Sequence, residues 1–307
     1  MAIKTALQVL SMSKWGKNIL ALEEIKTTLI PFLILNLTLQ RAIKFKIVMA
    51  LATSEELQAI LVPIVVYWTY SGMYVILESW CENYKLHSKQ EEEEKNLVSR
   101  KTVIKGVLLH QTIQATLNFL VLMVTGGNDA EASPRQPSSL IIIAKQLVIA
   151  MVFIDTWSYF IHRYLHYNKF LYRHLHAPHH RIVVSYAFGA QYMHPLEGIL
   201  DTMGGSLSII VSGMSPRTSM FFFSFALIKL VDDHCGMRLP GNPFYIFFKN
   251  NSAYHDIHHQ LYGAKYNFSV YFVTWDKILG TYMPYSLEKK AEGGFEVRRA
   301  DQEHKDD

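Results

Sequence analysis

The chain has 307 residues, half of them apolar, with 17 Phe, 17 Tyr and a formal charge of +4. A mean hydropathy of +0.10 is above the level usual for soluble domains, so membrane spans are sought before a soluble core. The small charge without a long basic run argues against a nucleic-acid partner, and the two distant cysteines, Cys81 and Cys235, argue against a disulfide framework or a thiolate metal site.

The N-terminus lacks an apolar run followed by a small-residue cleavage site, so no removable signal peptide is expected. Residues 1–54 form an N-terminal extension. Its apolar stretch 27–39 is short for a span, so the segment either lies at the membrane interface or contributes a further crossing within 27–53. Residues 55–161 hold the transmembrane helices. The clearest covers 58–77 without a charge, a second covers 106–127 with His110, Gln111 and Gln114 on one polar face, and a third covers 140–161 with Lys145 and Asp155. Two shorter apolar runs, 202–214 and 218–228, flank Ser215-Pro216-Arg217. They predict a re-entrant hairpin over 202–228, a soluble helix pair being the alternative. Residues 162–290 form a histidine-rich domain, and 291–307 a polar tail.

Lys85, Lys89, Lys95, Arg100, Lys101 and Lys105 follow the first span, whereas only Arg135 separates the second from the third. Basic loops stay cytosolic, so the third span returns the chain to the cytosol where His162 begins. A hairpin that enters and leaves on one side keeps the later histidines there too.

Those histidines fall in three clusters: His162 and His166; His176, His179 and His180; His255, His258 and His259. Residues three and four apart share a helix face, so each cluster is expected to aim its imidazoles at one point. A lone histidine on an apolar face is usually a core residue. Three clusters within about a hundred residues, two with the same H-x2-H-H spacing, are not explained that way. Eight imidazoles are too many for one metal ion and suit two. Zinc explains the pattern badly, because its structural sites favour cysteine and no H-E-x-x-H occurs. Soluble di-iron bundles use Glu with E-x-x-H pairs, absent near these clusters. Membrane di-iron oxygen chemistry remains. His234 and His194 are further ligand candidates, His194 because Pro195 marks a helix boundary. His174 lies off the face of its neighbours, and His87, His110 and His304 are expected as surface or span residues. Asp155, two turns before His162, is either an outer carboxylate orienting a ligand or a buried bundle residue, and Asp232, Asp233 and Asp256 are outer candidates as well.

The histidine set resembles the fatty acid hydroxylase superfamily, which includes sterol desaturases and C4-methyl oxidases. The flanks DTWSYFIHRYLHYNKFLYRHLHAPHHR, MSPRTSMFFFSFA, VDDHCG, FKNNSAYHDIHHQLYGAKYNFS and WDKILGTYMPYSLEKK are similar to its plant sphingoid base (sphinganine C4-) hydroxylase branch, from about residue 55 to the C-terminus. Ala177-Pro178 departs from the polar residues often found in the second cluster, and residues before about 55 have no counterpart. The resemblance implies an all-α, multi-pass membrane bundle of the endoplasmic reticulum with a cytosolic di-metal helical cap. It further implies two iron ions, replaceable by zinc on isolation, O2, and electrons from cytochrome b5 and its reductase. The expected reaction hydroxylates C4 of a long-chain base, free or as ceramide. Oxidation of a sterol C4-methyl group, hydroxylation of a fatty acyl chain and a non-catalytic metal carrier are the competing readings.

Overall fold

The structure, a computed structural model, describes residues 54–125, 139–291 and 293–300. The N-terminal extension, most of the segment between the second and third spans, and His304 lie outside the described residues.

Three helices are long and apolar enough to cross a membrane. They are α1 (Glu55–Leu77), α3 (Arg100–Thr125) and α4 (Leu140–Tyr167), with the short α2 (Lys89–Lys95) between the first two. The 23 residues of α1 extend about 35 Å, enough for a hydrocarbon core of about 30 Å. At most 22 % of the residues in their apolar windows are buried within the protein, and Ile76, Val124 and Ile141 stand exposed, as side chains facing lipid would. The ends are polar and capped. Ser88 and Glu91 form a reciprocal capping box on α2, and Asn168 stops α4 while its side chain accepts from the N–H groups of Phe170 and Leu171.

Two consecutive helices cover nearly all of the apolar runs 202–214 and 218–228 and extend beyond them. Helices α5 (Pro195–Ser212) and α6 (Pro216–Asp233) have 18 residues each, about 27 Å. The apolar runs leave out the polar stretches 195–201 and 229–233, through which the helices continue. Proline opens each helix and Gly213, in the left-handed region at φ 67°, closes α5. α5 packs closely on α4: a Cβ on Gly204 would lie 2.4 Å from the Trp157 ring. α6 packs along α1, where Tyr67, Tyr74 and Val231 join Val103 and Val107 of α3 in the main core. Tyr74 donates to Asp232 Oδ1 at 2.5 Å and Tyr67 to the Phe188 carbonyl at 2.8 Å, so the second half of α1 is fastened to the end of α6, next to His234, and to the loop that follows the second histidine cluster.

Beyond α6 come α7 (Pro243–Phe247), α8 (Ser252–His259) and α9 (Thr274–Ile278). A small antiparallel hairpin follows, β1 (Tyr285–Lys289) with β2 (Phe295–Arg299). Gly293 and Gly294, at φ 101° and 80°, allow its turn, so strand β2 occupies the start of the segment expected to be a polar tail.

Candidate metal centre

Four elements deliver the histidines. The last turns of α4 carry His162 and His166. A π-helical turn (Tyr172–His176) runs into a short helix (Ala177–His180) and carries the second cluster. α8 carries the third, and His234 caps the end of α6. Together they place nine imidazoles in two groups. His162, His166, His176, His180 and His258 form one; His179, His234, His255 and His259 form the other; within each group the ligand atoms lie within 4.8 Å of one another.

The expectation that each H-x2-H-H cluster aims at one point is overturned. His176 and His180 share the first group while His179 joins the second; His255 and His259 share the second while His258 joins the first. Residues four apart differ by only about 40° around a helix, whereas adjacent ones differ by about 100°. Each triplet therefore spans both groups and braces them side by side, with the His180 and His259 ring centres 4.9 Å apart.

Hydrogen bonds at Nδ1 leave Nε2 free to bind an ion. Carbonyl oxygens only accept, so the contacts of His162 to Phe268 (3.1 Å), His179 to Tyr192 (3.1 Å), His234 to Leu230 (2.8 Å), His258 to Tyr266 (2.7 Å) and His259 to Ile182 (2.8 Å) fix the proton on Nδ1. Three such proton-free Nε2 atoms converge in the second group, where His255 alone could offer a proton. In the first, His258 Nε2 is buried without a partner. The Nε2 of His255 lies 2.9 Å from that of His234 and 3.0 Å from that of His259, and His180 Nε2 lies 3.1 Å from both His166 and His176. Two nitrogens about 2.1 Å from one ion at right angles would be about 3.0 Å apart. The residues thus fit two metal ions of a kind that takes imidazole.

Burial, reinforced by the neighbouring imidazoles, pushes His179 down to about 4 and His234 to about 3, and holds His180, His255, His258 and His259 well below 6.5. In the unfolded chain the same rings take protons near 6.5. The stability of metal-free protein is therefore full above that value and is lost as pH falls from about 6.5 toward about 4. Melts of chelator-treated protein between about pH 7 and about pH 5 should show a falling midpoint, and a flat profile would contradict the neutral cluster.

The chain matches the fatty acid hydroxylase family over residues 147–281, which takes in both groups. It is 64 % identical over 261 residues to sphinganine C4-monooxygenase 1 of Arabidopsis thaliana, covering 84 % of this chain and 99 % of that protein. The chain belongs to the fatty acid hydroxylase family. A very-long-chain aldehyde decarbonylase of Oryza sativa subsp. indica is 55 % identical over 80 % of this chain and 95 % of its own length. A sphingolipid C4-hydroxylase of Schizosaccharomyces pombe is 38 % identical over 76 % and 93 %. No solved structure matches.

Several histidines and carboxylates stand apart from this hydroxylase-family site. His194 is in neither group: it caps α5, its Nδ1 accepting the Leu196 N–H at 3.2 Å. His174 is bonded to the Phe170 carbonyl. None of the four acidic candidates touches a grouped histidine. Asp155 is on the face of His162, but two turns, about 10 Å, separate them, and it accepts the N–H groups of Tyr271 and Phe272. Asp232 takes Tyr74 and Asn242, Asp233 pairs with Lys229, and Asp256 meets His87 Nε2 at 2.9 Å. His87 is therefore a strap between the α2 region and α8, not a free surface residue.

The carboxylate that does touch the site is Glu197, in the first turn of α5, 2.6 Å from His176 Nδ1. A Pro-Leu-Glu after a boundary histidine places Glu at the third helical position, a hint that the sequence offered. Glu197→Ala is expected to lower metal retention or activity about 10- to 100-fold, as loss of a partner that orients a ligand does. Metal content after dialysis against a chelator checks it, and Glu197→Gln, which keeps an acceptor, should lose less.

The family site opens on a cavity of about 610 Å³. His162, His176, His179, His234 and His255 line one end, and apolar residues of α1, α3, α5 and α6 such as Ile64, Leu122, Ile209 and Leu227 line the remainder. That volume is within the range of ligand sites, about 300–1,000 Å³.

Proposed function

We propose that this chain hydroxylates C4 of a long-chain sphingoid base, converting sphinganine to 4-hydroxysphinganine (phytosphingosine) with O2 as oxidant. The observation that carries the reading is the 64 % identity to the Arabidopsis sphinganine C4-monooxygenase over 99 % of that protein. His162, His166, His176, His180 and His258 would hold one iron ion, and His179, His234, His255 and His259 the other. When bound, the ions supply oxygen activation. Zinc can take their place in isolated protein, since imidazole accepts both metals.

The protein's own contribution is positioning. Backbone carbonyls hold five imidazoles by Nδ1, so their Nε2 atoms need no reorientation. The apolar walls of the cavity accommodate an alkyl chain and exclude water beside the histidines. Holding one carbon in register matters, because about 1 Å of misplacement can cost about 100-fold in rate. The basic segment after α1 supports a cytosolic site on the endoplasmic reticulum, within reach of cytochrome b5 and its reductase as electron source.

Expression in yeast lacking its own C4-hydroxylase should restore trihydroxy long-chain bases. Stable protein without them overturns the assignment, as does turnover of a very-long-chain aldehyde alone.

A further inference from the structure

One charged side chain in the cavity serves neither the histidine groups nor the packing. Asp201 stands on α5 four residues, about 6 Å, beyond Glu197 and its contact with His176. It is exposed where it lines the cavity. Among the described residues no hydrogen bond or ion pair reaches its carboxylate, and the charge it meets is that of another acid, Glu197. The other carboxylates of the cavity are accounted for. Asp233 is held by Lys229, Glu197 contacts His176, and Glu56 is in the first turn of α1, where the helix N-terminus offsets its charge. Glu56 also lies far from the histidines, because the opposite end of α1 is tied to Asp232.

An unpaired carboxylate in a mainly apolar cavity is costly unless a cation or a hydrogen-bond donor meets it. The histidines cannot provide the cation, since they are neutral when they bind metal. Resting on the reading of the substrate as a long-chain base, we propose that Asp201 binds the ammonium group of that base, so that the free amine rather than its N-acylated form is the substrate. The nitrogen of such a base is on C2, two carbons from C4. An anchor one helical turn from the residue touching His176 keeps C4 beside the histidines. N-acylation turns the amine into a neutral, bulkier amide, which removes the charge that Asp201 would match.

The test compares wild type, Asp201→Asn and Asp201→Glu as metal-loaded full-length protein in detergent, with sphinganine and N-acetylsphinganine as substrates. Wild type should prefer sphinganine. Asp201→Asn should raise KM for sphinganine about 10- to 100-fold, more than it lowers kcat, with little change for the acetylated base, and Asp201→Glu should recover part of the loss. A preference of wild type for the acetylated base, or an unchanged preference in Asp201→Asn, overturns the proposal. Octadecylamine and octadecanol provide a reading free of turnover. The amine should raise the melting midpoint of wild type more than the alcohol does, and the difference should vanish in Asp201→Asn. Equal shifts in wild type overturn the proposal even if no variant folds. Wild type that binds the amine selectively but hydroxylates neither base overturns the assigned reaction and leaves Asp201 as an amine site.

Discussion

Replacing His258 with alanine should abolish C4-hydroxylation and lower bound metal from two ions per chain toward one. His258 is the sole contribution of α8 to the five-histidine group. It is fully buried, its Nδ1 bonds the Tyr266 carbonyl at 2.7 Å, and its Nε2 has no protein partner. Alanine removes a proposed ligand and strands that carbonyl, so the loss should exceed the roughly 10- to 100-fold that follows loss of an orienting partner. The four-histidine group keeps all its members, so its ion should remain. His259→Ala is expected to do the converse, emptying the second group with an equally complete loss of product. His194→Ala supplies the contrast: it removes a helix cap, at about 1 kcal/mol, and should leave two ions in place. Metal analysis of purified protein beside long-chain-base profiling reads all three. Full turnover in His258→Ala would defeat the assignment of the first group, and two retained metals without any oxidation in wild type would favour a carrier.

The local part of this site was legible from spacing, and the non-local part was not. Four-residue pairs such as His162 with His166 state their own geometry, because helix periodicity alone puts them on one face. His234 was recoverable as a histidine at the end of an apolar helix on the same side as the clusters. Which histidines fall in the same group was not recoverable, since it depends on how α8 faces the turn at 176–180, and those segments are some eighty residues apart. The three spans showed in hydropathy, whereas α5 and α6 showed only in part because their site-proximal ends are polar. The acidic candidates failed for a related reason. Proximity in sequence placed Asp232, Asp233 and Asp256 beside ligands, but adjacent helical residues diverge by about 100°, so each points to a different neighbour. Glu197 reaches His176 across 21 positions, and the Phe268 carbonyl reaches His162 across 106. No motif encodes either contact.

Asp276→Ala should cost the largest share of stability of any substitution outside the histidines. This fully buried carboxylate in α9 accepts the N–H groups of Phe268 at 3.0 Å and Ser269 at 2.9 Å and the Thr281 hydroxyl at 2.7 Å, and it also accepts the Tyr254 hydroxyl. Phe268 presents its carbonyl to His162, and Tyr254 belongs to α8. One side chain thus ties the acceptor of an α4 histidine to the helix bearing the third cluster. Alanine leaves four buried donors without their acceptor, and each such orphan costs about 1–3 kcal/mol, so a loss of at least about 3 kcal/mol is expected. Asp276→Asn keeps one oxygen and should fall between. Melts of chelator-treated protein separate this from metal loss, because the network needs no ion: if the deficit appears only in metal-loaded protein, Asp276 acts on the ions and not on the fold. A metal-free Asp276→Ala protein as stable as wild type would show that the loop at 268–272 holds its shape without the carboxylate. In that case Asp155, which accepts from Tyr271 and Phe272 in the same loop, would be the remaining anchor for the carbonyl that orients His162.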